Sequence, residues 1–263
     1  MRKIVLDKTE TISANSTNIA LAKCNFLIDA FSILKDELVK LDNVEYVDII
    51  TTESDSSNEK RKMLFDIGYN NIYLFIGLNA GIQCTFNVGL CKKDDYSEVV
   101  SYSISTGYTF QCGSATGGYK CVFVASAFMV VNNNKLSAFF ISFPTDNLGS
   151  SFFLLLDSDN YGNNFVFIGG ASGGTNELYY DNDDTYTKHT VDATHITNGI
   201  EGKVWLSNTI IYLNNSLKAL TTGLLKICNS TLATNTGLSG TLIDVEGTRY
   251  RKLNYCWWVE DNE

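Results

Sequence analysis

A chain of 263 residues that is 44% hydrophobic and 19% charged, with a formal net charge of −9, has the composition of a globular protein with a sizeable core and not of a disordered segment. Its excess of acidic over basic residues argues against a surface built for phosphate backbones, so no nucleic-acid partner is expected. The longest apolar run, CVFVASAFMVV (121–131), is too short to cross a bilayer, and MRKIVLDKTETIS lacks a signal-peptide core, so the expectation is no membrane insertion and residence in a cytoplasm.

In chain order, the first element expected is a helix from about Ser16 to Leu41. Ala20, Cys24, Leu27, Phe31, Leu34, Leu38 and Leu41 recur at steps of four and three, with charged residues between them. That seam also fits a coiled coil, but Ile28, Ile33 and Val39 widen it toward the stripe of a helix lying on a sheet. Ser13, Ser16 or Thr17 can cap its start, and Asp42-Asn43 ends it. The basic run Lys60-Arg61-Lys62 reads as a solvated turn.

From Val44 onward the signals are those of strands. VEYVDIIT, MLFDIG, NIYLFIG, IQCTFNVG, SEVVSYSIS, GYTFQC, KCVFVASAFMVV, LSAFFISF, SFFLLLD and FVFIGG are rich in β-branched and aromatic residues. Turn formers such as Asn132-Asn133-Asn134 stand between them. Short strands with a turn every eight to twelve residues or so make the rhythm of an antiparallel sandwich or barrel, and helix-length gaps are missing. Later, DNDDTYTKHTVDATHITNG (181–199) reads as a long loop or edge strand, and SLKALTTGLLKICNSTL (216–232) as a short helix. The fold class is therefore α+β, mainly β: an antiparallel β-sandwich or barrel with one long N-terminal helix packed on it and a C-terminal β-hairpin. The expected organisation is 1–60 for the N-terminal helix plus strand, 61–200 for the sandwich, and 201–263 for the short helix and hairpin, with the last two allowed to be continuous.

Motifs that carry chemistry mostly fail on their own requirements. DSDNYGNN (157–164) starts like a calcium loop, but the twelfth position, which needs a bidentate carboxylate, is Ile168. GSATGGYK and GGASGG lack the Gly-Lys-Ser/Thr of a phosphate loop. Seven cysteines, Cys24, Cys84, Cys91, Cys112, Cys121, Cys228 and Cys256, sit mostly in apolar segments without paired spacing, so buried reduced thiols are the plain reading. A zinc site from Cys84, Cys91, Cys112 and Cys121 lacks the usual ligand spacing. His189 and His195 lie near Asp181, Asp183, Asp184 and Asp192, with no nucleophile elbow beside them. No catalytic residue, cofactor site or metal site is therefore assigned, and the chain is not expected to be an enzyme. Tyr161, Tyr179, Tyr180 and Tyr186, flanked by Asn and Asp, form a candidate ligand loop for a glycan.

The stretches GIEGKVWLSNTIIYLNN (199–215), NSTLATNTGLSGTLIDVEGTRYRKL (229–253) and WWVEDNE (257–263), in an Asn-rich chain with one proline, resemble structural proteins of the tail, neck or baseplate of tailed bacteriophages and of phage tail-like particles. The resemblance covers about a quarter of the chain, as a style of sequence without a defined motif. It implies a virion subunit, made in the host bacterial cytoplasm, that acts through homo-oligomeric contacts and contacts with other virion proteins. The alternative is a receptor-binding or carbohydrate-binding sandwich of a phage fibre.

The C-terminus carries the most specific structural expectation. A two-residue turn at Glu246-Gly247 should pair Val245 with Thr248, Asp244 with Arg249, Ile243 with Tyr250 and Leu242 with Arg251. The residues after it read as one long strand that outruns its partner and needs another strand to cover it. Leu253, Tyr255, Trp257 and Trp258 are accordingly the candidate interface residues, on a terminal strand expected to connect subunits.

Overall fold

The computed structural model describes residues 2–13, 18–55, 57–81, 84–104, 110–142, 152–158, 164–170, 176–182, 185–192, 206–213, 219–228, 242–245, 247–254 and 257–260. Among the described residues strands dominate, joined by one helix, and all strand pairings are antiparallel, as the sequence rhythm implies. The smaller sheet is a five-stranded meander of β2 (Glu45–Ser54), β3 (Glu59–Asp66), β4 (Ile72–Ala80), β5 (Thr85–Lys92) and β6 (Glu98–Ile104), in that order. The larger sheet has thirteen strands. It begins with β1 (Arg2–Ser13), which pairs with β8 (Gly118–Asn132). β7 (Phe110–Ala115) also pairs with β8, and β9 (Lys135–Ser142), β10 (Phe152–Ser158), β11 (Asn164–Gly170), β12 (Asn176–Asn182), β13 (Thr185–Asp192), β14 (Leu206–Leu213) and β15 (Ala219–Cys228) continue the sheet. It ends in the order β15, β18 (Trp257–Glu260), β17 (Thr248–Asn254), β16 (Leu242–Val245).

The helix α1 (Ile19–Leu38) lies between the two sheets, touching β1 and β8 of the larger and β2, β3 and β4 of the smaller. Cys24, Phe26, Leu27, Ala30, Phe31, Leu34 and Leu38 are buried, so the seam at steps of four and three faces protein. Ile28 is partly buried against the core. Ile33 and Val39, which the sequence placed in the widened stripe, are exposed, because two sheets cover the seam and leave that flank to solvent. Asn18 is the N-cap, its side-chain oxygen accepting from the Leu21 amide at 2.9 Å, in place of the expected Ser13, Ser16 or Thr17. Nor does the helix open the chain, because β1 precedes it.

One core joins all three elements. Ile4, Leu6 and Ile12 from β1, Phe65, Leu74, Ile76, Leu78, Phe86 and Val88 from the small sheet, and Phe123, Ala127, Phe139, Leu154 and Val166 from the large sheet belong to one cluster with the helix. At its centre Phe31 meets Phe86 at 5.3 Å and Phe123 at 5.2 Å between ring centroids, and those two rings lie 5.8 Å apart. Tyr69, between β3 and β4, donates its hydroxyl to the Phe165 carbonyl of β11 at 2.6 Å, a second tie between the sheets. Phe128 and Phe140 stack at 4.6 Å and are buried, as are Leu155 and Phe167. β17 comes into contact with β10, so the large sheet folds back on itself.

Turn chemistry explains the hairpins. Asn132 pairs with Lys135, and the intervening Asn133 and Asn134 both have positive φ, +49° and +59°, as a primed two-residue turn requires. Ala115 pairs with Gly118 across Thr116-Gly117, so GSATGGYK is a tight turn, with Gly117 at φ +83°.

The terminal hairpin has the four expected pairs, with Gly247 at φ +83° and Asp244 and Arg249 3.6 Å apart. Beyond that turn the chain does not form the one long strand expected of it. β17 ends at Asn254, and β18 runs antiparallel to it, pairing Tyr250 with Glu260 and Arg251 with Val259. The covering strand is thus supplied by the same chain, and its other edge is taken by β15. A second correction concerns the short helix expected within 216–232, where the structure has β15. Thr209 and Asn208 of β14 oppose Thr222 and Lys226, so Gly223, Leu224 and Leu225 have no counterpart on β14. That insertion gave the leucines a helix-like spacing in a strand held by β14 and β18.

Truncating Phe31 to Ala removes the ring shared by helix and both sheets. It should cost about 3–5 kcal/mol, the range for a fully buried aromatic, measured by denaturant unfolding. An unchanged midpoint would mean that the three-way contact contributes nothing to the fold.

Candidate functional site

The candidate interface residues share no single open surface strand. Leu253 is on β17, Trp257 and Trp258 are on β18 opposite Asn254 and Lys252, and Tyr255 lies outside the described residues. Since β18 is flanked by β15 and β17, its backbone is spent inside the sheet. Among the described strands, those with a single partner are β1, β7 and β16 in the large sheet and β2 and β6 in the small one.

The candidate glycan-binding tyrosines fall on two paired strands and one position beyond them. Tyr161 lies outside the described residues, and Tyr180 and Tyr186 are strand residues of β12 and β13, not loop residues. Tyr179 is a core residue of β12, 1% exposed, and its hydroxyl donates to the Glu177 carboxylate. It is therefore committed to the interior. Alternation predicts this: Tyr179 stands opposite Val166, whose side chain faces the core. His189 sits in β13 opposite Leu178, and His195 lies outside the described residues.

The cysteine expectation needs correction in part. Cys112 and Cys121 are directly opposed on β7 and β8, with Cα atoms 4.2 Å apart, and are joined as a disulfide. The linear spacing of nine hid this, because a two-residue turn brings residues of that separation face to face. Cys24, Cys84 and Cys91 are buried and not disulfide-bonded, as expected. Burial pushes Cys24 up to about 12 and Cys91 up to about 11, and raises Cys84, so all three are poor nucleophiles. The four-cysteine zinc site is not assembled: two of its members are bonded to each other, while Cys84 and Cys91 belong to separate clusters on opposite faces of the small sheet. Among the described residues no three His, Cys, Asp or Glu side chains converge to hold a metal ion.

The basic run is not a solvated turn but part of β3, with each charge engaged. Lys60 pairs with Glu53, and the Lys62 ammonium lies 3.1 Å from Glu98 and 4.8 Å from the centroid of Phe75. Around it, Leu64, Phe75 and Cys91 form a small buried cluster on the outer face of the sheet. Tyr73 and Tyr96 stack over 6.4 Å, and Lys93 lies 4.9 Å from the Tyr73 ring while pairing with Asp66 at 2.5 Å. These cations act as the apolar-stemmed lid of a minor core.

Arg61 serves the one fully buried acid among the described residues. Its Nε donates to Glu59 at 2.7 Å, and the Ser54 hydroxyl donates to the other carboxylate oxygen at 2.6 Å. Burial pushes the Glu59 carboxyl up, but the Ser54 and Arg61 hydrogen bonds and the Arg61 charge outweigh it and hold the group below its usual range. The arrangement stabilises a carboxylate, with one hydrogen bond on each oxygen; chemically it is a structural lock.

Sequence reasoning missed β1, although its signal is present. Ile4 and Leu6 are buried while Lys3, Val5 and Asp7 between them are exposed, a period-two pattern readable in KIVLD. No protein-family model matches the chain, and comparisons with curated proteins and with solved structures find no match either. No helix among the described residues is long and apolar enough to cross a membrane.

Two measurements check this chemistry. Alkylation of the native protein followed by peptide mass mapping should leave Cys24, Cys84 and Cys91 unmodified. Unfolding without reductant should expose those three to label and leave Cys112 and Cys121 unlabelled; labelling of Cys112 under those conditions would rule out the bridge. Because the folded Glu59 pKa is lowered, its contribution to stability is present above the ordinary value of 4.5 and is lost as pH falls through the lowered value. Melting temperature should thus fall on acidification in that window, and Glu59→Gln should flatten that part of the profile.

Proposed function

We propose that the chain is a structural subunit of a phage particle, of the tail, neck or baseplate class, that works through contacts with further copies of itself and with other virion proteins. In this reading it resides in the virion and is made in the cytoplasm of the bacterial host. The supporting observation is where the molecule keeps unspent bonding capacity. Cys24, Cys84 and Cys91 are buried, Cys112 and Cys121 are bridged, and the buried acid Glu59 is locked by Arg61 and Ser54. By contrast, β1 offers a twelve-residue edge with no strand paired to its outer side among the described strands. A protein with that distribution acts by geometry, through backbone edges and surface shape. The sequence style of 199–215, 229–253 and 257–263 points the same way.

The test is assembly. The purified chain should show a mass above that of the monomer that rises with concentration, and antibodies against it should decorate particles released from a producing host when viewed by electron microscopy. A chain that stays monomeric at every concentration and labels no particle would sink this reading.

A further inference from the structure

We infer that β1 is a self-association strand: two copies of the chain pair antiparallel along β1 about a two-fold axis at Val5, joining their large sheets into one. The inference names a surface for the assembly reading and rests on it.

Four observations support this. The first is the edge itself. β1 keeps unbroken register with β8 through twelve residue pairs, so its outer side is an equally regular row of amide and carbonyl groups. Other long edges are blunted: β2 carries irregularities at Tyr46/Asp48 and Thr51/Glu53, and the β6 pairing is interrupted at Leu90/Cys91. Natural sheets commonly protect an edge in just that way. β1 has no such device.

The second is exposed apolar surface. Val5 of β1, 54% exposed, and Ile33 of the helix, 50% exposed, are the two most exposed large hydrophobic residues among those described. The helix runs antiparallel to β1: Lys23 lies over Tyr119, the partner of Ile12, while Asp42 beyond the helix end reaches Asn134. Asp29 overhangs β1 to meet Lys8 at 2.8 Å. Ile33 is one turn further on the same flank, about 6 Å along the helix, which corresponds to about two strand residues. That places it near the level of Leu6, beside the proposed axis.

The third is charge. A two-fold axis at Val5 sets Lys3 of each copy opposite Asp7 of the other, Val5 against Val5, and Ile4 opposite Leu6. Opposite charges facing across a pair favour it. Arg2 then faces Lys8, whose charge is already met by Asp29 at 2.8 Å and Glu10 at 3.4 Å.

The fourth is register. A shift of one residue would turn the buried face outward. An axis at Leu6 sets the exposed Val5 against Asp7 and Ile4 against Lys8, and an axis at Ile4 sets Val5 against Lys3. The Val5 axis is the register that satisfies both faces.

The test uses the full chain. Sedimentation equilibrium should give a dimer, or a multiple of one. Lys3→Glu and Asp7→Lys should each raise the dissociation constant about tenfold or more, two facing pairs having turned from attraction to repulsion. The double variant K3E/D7K should restore association. D7K matters separately because Lys3 also lies 5.8 Å from the Phe128 ring centroid. Under mild oxidation, V5C should form an intermolecular disulfide at position 5, located by peptide mapping, while circular dichroism confirms that each variant is folded. If the protein associates but the charge reversals change nothing and V5C does not link, the β1 pairing is wrong and the assembly reading survives. If the protein is monomeric throughout, both fall.

Discussion

Everything in this fold depends on three phenylalanine rings meeting where three layers meet. Phe31 comes from the helix, Phe86 from the small sheet and Phe123 from the large sheet, and each touches the other two. The strand ladders of each sheet are separate; what the sheets share is the helix, the apolar surface around it and the Tyr69–Phe165 hydrogen bond. A helix lying between two sheets must be apolar over a wide arc, which is why Cys24, Phe26, Leu27, Ala30, Phe31 and Leu34 are all buried. The remaining flank, with Asp29 and Ile33, is the side the fold cannot cover.

Much of this was legible where the physics is local. Ten strand segments could be read from β-branched and aromatic runs bounded by Asn and Gly. The pairing around Gly247 followed from the geometry of a two-residue turn. The helix seam could be read residue by residue. Legibility ended where the partner determines the state. β15 has leucines at helical spacing because three residues are unmatched on one side of a strand, and nothing local in LKALTTGLLK announces the neighbour that imposes it. β1 alternates over few residues and is fixed by a partner more than a hundred residues away.

Side-chain chemistry was harder still, because spacing along the chain says little about which face a residue occupies. Cys84 and Cys91 appear together in sequence yet lie on opposite faces of one sheet. Cys112 and Cys121 appear unrelated yet meet across a hairpin. Tyr179 looks in sequence like part of a polar aromatic loop, but its place in β12 opposite Val166 puts it in the core. The basic triplet at 60–62 gives the same lesson for charge: three neighbours in β3 serve three separate acids, Glu53, Glu59 and Glu98.

The position of β18 imposes an order of events on folding. The β16–β17 hairpin is local and can close within microseconds, but among the described strands it joins the large sheet only through β18, which comes after it in the chain. Until residues 257–260 have left the ribosome, β15 ends in an unpaired edge and the finished hairpin has no berth. β18 is the keystone of this end of the sheet, holding β15 on one side and β17 on the other.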